Sequence, residues 1–364
     1  MAEHVTIAAE DTSVVLRDGE GRAAWMVVAL LAVGHMIIDG ASICAAYRAA
    51  RQVDGADAVR IIALYNTLAF APQVLLGWMV DWSKRPFAGA ALGAAMTVAA
   101  LLLWPMMPVA AVVVAAAGNA LYHVGAGGTC LKLARYRAAM GGVFVGPGGL
   151  GVVLGVFLGM EKWPGIAALI VANAVVAGLA GLWCWKRQTL AETMPSVEGG
   201  RRAAIIALLV TALAARQLVG GAVGGPWLSQ PAAWIGLACC AMVGKVIFGF
   251  VADAVGWMRT AVPLVVVAAV LLPVAGGHLD AAAAATFLVQ AAMPVTLAAM
   301  SCVLPGRPAL AFGAASSALW LGALPAMVSH VSGAVVWAAQ GGSAVAIAGA
   351  LWLLARERRG SSSA

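Results

Sequence analysis

Apolar runs of about 20 residues, separated by short polar or Gly/Pro-containing breakers, recur from one end of the sequence to the other. Runs of this length match the hydrocarbon thickness of a bilayer when coiled as α-helix. They predict spans near 23–47, 58–81, 86–105, 107–130, 139–160 and 163–185, then 203–223, 232–253, 260–276, 280–303, 309–329 and 332–355. Between the two sets lies the longest polar interruption, Lys186 to Arg202. The expected organisation is therefore a tail over 1–22, a six-helix bundle over 23–185, a linker over 186–202, a second six-helix bundle over 203–355, and a tail over 356–364.

Composition supports the same class. Of 364 residues 63% are hydrophobic and 10% charged, against about 25% charged in an average soluble domain. An open sheet would leave backbone amides unpaired in lipid, and the runs are far longer than the ~10-residue strands of a barrel. Residues 1–22 carry Glu3, Glu10, Asp11, Asp18 and Glu20, without the basic start and short apolar core of a cleaved signal. The six cysteines show no C-x-x-C spacing and sit in or beside apolar runs, which reads as packing.

The net charge of +7 could suggest nucleic acid, but its distribution gives it another meaning. With the N-terminus in the cytoplasm, cytoplasmic ends and loops hold 16 of the 22 basic residues, among them Lys84, Arg85, Lys132, Arg135, Arg137, Arg201, Arg202 and Arg356. The opposite side holds Arg48, Arg51, Arg60 and Lys162, and Arg216 and Lys245 fall within spans. That asymmetry favours an even number of spans with both termini cytoplasmic, in a plasma membrane such as the bacterial inner membrane.

The halves also share a landmark. Span two ends Gln73-Val-Leu-Leu-Gly77-Trp-Met-Val-Asp81, and span eight ends Lys245-Val-Ile-Phe-Gly249-Phe-Val-Ala-Asp253, each at an offset of 172 residues. Repeats at half-chain spacing are typical of secondary transporters. Here the chain resembles the major facilitator superfamily, whose loop after helix two carries Gly-x-x-x-Asp followed by basic residues. Gly77, Asp81 and Arg85 match the first copy, which lacks the second glycine; Gly249, Asp253 and Arg259 match the second. The resemblance implies an all-α membrane fold of twelve transmembrane helices in two pseudo-symmetric halves, with these six residues as a cytoplasmic gate. A carboxylate beside a helix N-terminus gains dipole energy and could also pair with Arg85 or Arg259. Gly34-His35-Met-Ile-Ile-Asp39 and Leu121-Tyr122-His123 look similar to fosmidomycin-resistance-type facilitators, although Val124 stands where that subgroup has proline.

Charges inside spans are functional candidates. His35 and Asp39, four apart, share a face of helix one at roughly 18–24 Å from its cytoplasmic end, and Arg216 reaches about 20 Å into helix seven. The resemblance places helices one, four, seven and ten around a central cavity, so the candidate substrate and proton site comprises His35, Asp39, Asn119, Tyr122, His123, Arg216, Gln217 and Gln290. Asp39 is the natural proton carrier, since the cations near a carboxylate decide whether it keeps its proton. A permanent Asp39–Arg216 ion pair joining the halves is the competing account. His123 is equally readable as a packed histidine, and Lys245 as a side chain snorkelling to the cytoplasm.

Helix five carries Gly142-x-x-x-Gly146 and Gly151-x-x-x-Gly155-x-x-x-Gly159, a spacing for close helix approach. Its Gly146-Pro147 partly resembles an antiporter motif, a lean toward efflux. Gly146-Pro-Gly148-Gly-Leu-Gly151 satisfies G-x-G-x-x-G literally, but no strand precedes it. Neither a hydrolase nor a P-loop motif occurs, so an enzyme, a cofactor and direct nucleotide drive are not expected. No His, Cys or Met cluster has metal-ligand spacing. The leading expectation is a proton-coupled secondary transporter, functional as a monomer, moving a small polar or anionic solute by alternating access. The alternatives are a transition-metal transporter of the same fold and a non-transporting assembly or sensing protein.

Overall fold

The computed structural model describes residues 18–160, 165–186, 201–222, 225, 229–328 and 331–362. The tail ahead of residue 18, Lys162 and most of the 186–202 linker lie outside the described residues. Fifteen helices follow one another: α1 (Asp18–Ala50), α2 (Gly55–Phe70), α3 (Gln73–Ser83), α4 (Pro86–Leu103), α5 (Pro108–Ala134), α6 (Ala138–Val145), α7 (Gly148–Met160), α8 (Ile166–Lys186), α9 (Arg202–Ala222), α10 (Pro231–Val255), α11 (Trp257–Ala275), α12 (Leu279–Val289), α13 (Ala292–Val303), α14 (Pro308–Val328) and α15 (Gly333–Ser362). Eleven segments are long and apolar enough to cross a membrane, and Ile166–Leu182 of α8 forms a shorter apolar helix. Together they make twelve spans, because α2–α3, α6–α7 and α12–α13 are each one span interrupted partway.

The interruptions have identifiable causes. Pro72, Pro147 and Pro294 each remove a backbone donor and crowd the carbonyl four residues earlier. In lipid the freed groups need new partners, which neighbouring polar side chains can supply. At the first break Ser317 of α14 does this. Its hydroxyl accepts from Val74 N at 3.1 Å and lies 3.2 and 3.0 Å from the carbonyls of Phe70 and Ala71, to which it can donate. Gln73 Nε2 donates to Ala69 O at 2.7 Å. At the second break, Phe144 O and Val145 O at the end of α6 receive side chains from other spans. The third break leaves Gln290 at the join, where Met293 N donates back to its carbonyl at 3.2 Å.

The glycines of span five work as their spacing predicts, and on two sides. Gly151 and Gly155 press on the backbone of Met36 and Gly40 of α1, leaving no room for a Cβ. Gly142, one break earlier, presses on Lys245 O of α10. So α7 packs chiefly on α1 of its own half, while α6 also reaches across to α10 of the other.

The end that the basic residues assign to the cytoplasm is closed by two matching contacts between halves. The Asp81 carboxylate accepts from Ala309 N at 3.1 Å and Leu310 N at 2.8 Å, the first turn of α14. The Asp253 carboxylate accepts from Ala138 N at 2.7 Å and Ala139 N at 2.9 Å, the first turn of α6. Gly77 packs against Ala309, and a Cβ on Gly249 would lie 2.9 Å from Ala139 Cα. The repeat in the sequence is thus a repeat in contact. Its partners differ from the expected arginines, however: Asp81 takes backbone N–H groups, and the cations in electrostatic range are Arg307 and Lys132. Arg85 is exposed at the start of α4. A backbone amide cluster is a better fit to a carboxylate here, because it is rigid and already carries partial positive charge.

Candidate substrate and cation site

At mid-membrane, α1 and α5 bring three side chains together. Asp39 is flanked by His35, with Nε2 3.2 Å from its Oδ2, and by His123, with Nε2 3.2 Å from its Oδ1. The two imidazole Nε2 atoms are 2.6 Å apart. Asn119 Nδ2 donates to Asp39 Oδ1 at 2.7 Å. All four residues are buried.

The breaks position this group. His35 Nδ1 bonds the Phe144 carbonyl at 2.9 Å; a carbonyl only accepts, so Nδ1 carries a proton and, in the neutral ring, Nε2 is the acceptor. Gln73, displaced into the interior by the break at Pro72, sets its Nε2 3.2 Å from His123 Nδ1. Aromatic rings close the surroundings, with Phe144 stacked on His35 at 4.7 Å and Phe312 of the other half 6.3 Å from His123. Gly148 opens α7 beside the group, and a Cβ there would lie 2.7 Å from both Asp39 Oδ2 and His35 Nε2.

The other half contributes cations. Arg216 is buried, donating to Gln290 Oε1 at 2.9 Å and contacting Met293 Sδ at 3.4 Å. Lys245 is half-buried and turns its ammonium to Val145 O, 3.3 Å away at the break in span five, within electrostatic range of both Arg216 and Asp39. It does not snorkel to the membrane surface. Neither cation has a carboxylate partner among the described residues, so the Asp39–Arg216 pair is absent from this conformation. Asp39 is instead held within its own half by the histidines and Asn119.

Of the residues singled out in the sequence, His35, Asp39, Asn119 and His123 converge, and Arg216 and Gln290 form a second group. Tyr122 does not join them: its hydroxyl donates to Leu31 O at 2.9 Å, two turns along α1 from Asp39, and it fills the space over Gly34. The Gln217 side chain makes no hydrogen bond among the described residues. Sequence reasoning missed Gln73, although a glutamine one residue after Pro72 in an apolar span was a signal. It also found no metal-ligand spacing among the residues of its transition-metal alternative, whereas His35, Asp39 and His123 could hold an ion, their donor atoms lying within 4.8 Å of one another. The spacing argument failed because two ligands come from α1 and the third follows 88 residues after His35.

The sequence matches no family model and no curated protein. Solved structures do match over nearly the whole length. A Major Facilitator Superfamily transporter, FucP, in the outward conformation is similar at a TM-score of 0.64 and 14% identity, covering 93% of this chain and 99% of that one. A second structure, of the E. coli fucose:proton symporter FucP, gives 0.58 and 13%, with 92% and 98% covered. The human organic anion transporter MFSD10 (TETRAN) gives 0.62 and 15%, with 90% and 98% covered. The chain has the major facilitator fold: an all-α membrane architecture of twelve spans in two pseudo-symmetric six-helix halves.

Proposed function

We propose that this protein is a secondary transporter that moves a small anionic solute across the membrane by alternating access, driven by protons. One observation carries the substrate class: Arg216 and Lys245 project into the middle of a membrane fold with no carboxylate to neutralise them among the described residues. Uncompensated charge in that environment is costly, and a bound anion removes the cost. A non-transporting protein has no use for it, and would be better served by a cavity whose charges are paired.

The two moving halves are 23–185 and 203–355, joined by the 186–202 linker. The His35–Asp39–His123 group holds the coupling cation, and the Asp81 and Asp253 contacts are the gate that must break for the cytoplasmic end to open. The positive-inside asymmetry places both termini in the cytoplasm. Gly146-Pro147 in span five favours export over uptake. In proteoliposomes with an imposed pH gradient, small carboxylates and phosphates should move and neutral polar solutes should not. Equal transport of neutral analogues, or none of any compound, would remove the reading.

A further inference from the structure

The hydrogen-bond pattern around Asp39 gathers several cation-binding atoms at one point. In the neutral ring His35 Nε2 is an acceptor, because the Nδ1 proton goes to Phe144 O, and the Gln73 amide nitrogen at His123 Nδ1 leaves the proton of neutral His123 on Nε2. His35 Nε2 faces Asp39 Oδ2 at 3.2 Å and His123 Nε2 at 2.6 Å. Asp39 Oδ1 faces His123 Nε2 at 3.2 Å. In the resting group one proton on His123 Nε2 serves these contacts, and a metal ion that displaces it would find three ligand atoms within 4.8 Å of one another. From these residues we propose that His35 Nε2, His123 Nε2 and the Asp39 carboxylate bind one divalent transition-metal ion of the Zn²⁺ class.

The geometry suits that ion. Zn–N and Zn–O bonds of about 2.0–2.2 Å at tetrahedral angles put ligand atoms ~3.3 Å apart. Both imidazole–carboxylate separations are already 3.2 Å. These run to different oxygens, so the carboxylate has to turn one oxygen toward both rings, and the imidazole pair, at 2.6 Å, has to part by about 0.7 Å on the same bond lengths. Two imidazoles and a carboxylate prefer zinc, cobalt or nickel to magnesium or calcium, which favour oxygen donors.

The surroundings are those of a ligated histidine site, in which the far ring nitrogen is tied to a carbonyl or amide. Phe144 O does this for His35. For His123 the partner is Gln73, whose Oε1 is buried with no hydrogen-bond partner among the described residues. If Gln73 turns and gives up its bond to Ala69 O, that oxygen can accept the Nδ1 proton of His123 and leave Nε2 free for the metal. Asn119 fixes the carboxylate. Gly148 approaches the group so closely that a Cβ there would collide with Asp39 and His35, so the glycine leaves that side of the group without a side chain. With an ion bound beside Lys245 and Arg216, an anionic donor suits the fourth position best. This last point rests on the anion reading above; the metal site itself does not.

The test uses the full-length protein in detergent, stripped with chelator and titrated with Co²⁺ alone, then Zn²⁺. One equivalent of Co²⁺ should bring up intense visible bands of tetrahedral coordination, and Zn²⁺ should abolish them. His123→Gln and Asp39→Asn should each lose the bands, and Gln73→Leu should weaken Co²⁺ about 10–100-fold. The wild-type spectrum needs no variant to fold: octahedral Co²⁺ only, or no stoichiometric binding, overturns the proposal. Bands unchanged in His123→Gln overturn it too. Anion transport in chelator separates the two readings: if it persists in a protein that binds no Co²⁺, the metal site fails and the transporter stands. Tetrahedral Co²⁺ in a protein that transports nothing leaves the site standing and the transporter reading refuted.

Discussion

Replacing Asp81 by asparagine is the sharpest probe of how the closed end is held. Its two carboxylate oxygens accept from Ala309 N and Leu310 N at 3.1 and 2.8 Å. A side-chain amide there would keep one acceptor and turn its NH₂ toward the other N–H. The change removes one charge-assisted hydrogen bond, about 1.5–3 kcal/mol, and the charge–dipole attraction at the start of α14, about 0.3–1 kcal/mol. Both exist only while this end is closed, so Asp81→Asn should move the equilibrium toward the state open there by about 2–4 kcal/mol, or roughly 30–900-fold. Leu297 is a suitable reporter. It is 1% exposed, and its Cβ lies 4.0 Å from a Cβ built on Gly141 of the opposite half. In a background without native cysteines, maleimide labelling of Leu297→Cys should accelerate at least about 30-fold with Asp81→Asn, the lower end of that range. Asp253→Asn, acting through α6 instead, should do the same, and the double variant should approach the sum because the two share no partner. An unchanged labelling rate in both single variants would refute the reasoning and reduce Asp81 and Asp253 to helix caps with no part in gating.

Further outcomes concern the middle of the membrane and the breaks. Asp39→Asn should abolish gradient-driven transport whichever cation the group holds, since an amide replaces the only carboxylate there; normal accumulation or extrusion in proteoliposomes would exclude that role. Arg216→Gln should raise the KM for anionic cargo about 10–100-fold, corresponding to about 1.5–3 kcal/mol for a charged hydrogen bond, and an unchanged KM would place the cargo elsewhere. Ser317→Ala strips Val74 N of its acceptor and the Phe70 and Ala71 carbonyls of a donor. It should cost about 1–3 kcal/mol, read as a lower Tm in detergent; an unshifted melt would mean that another donor repairs the break. Reporters fused after Arg202 and at the C-terminus should both read cytoplasmic, and an external signal from either would overturn the orientation.

Spans, their number and the matching landmarks of the two halves were legible in the sequence, because each is fixed by a one-dimensional constraint. A bilayer demands about 20 apolar residues per crossing, and α-helix is the form in which such a run pairs its own backbone. The shared face of His35 and Asp39 followed from helix geometry alone. Partner choice was not legible, because it depends on which helix faces meet. Asp81 could have met arginine and meets the first turn of α14; Arg216 could have met Asp39 and meets Gln290. The prolines at 72, 147 and 294 were visible, but a proline says only that a backbone bond is lost, not what replaces it. In the tertiary structure Ser317, His35 and Lys245 answer to the first two breaks. By reaching those unpaired carbonyls, His35 and Lys245 bring chemistry from different spans to one point in the membrane. That convergence belongs to packing: α5 meets α1 directly, Tyr122 filling the space over Gly34, which brings residues 35, 39 and 123 together, and glycines 151 and 155 let α7 settle against α1, so that the break in span five sits over His35.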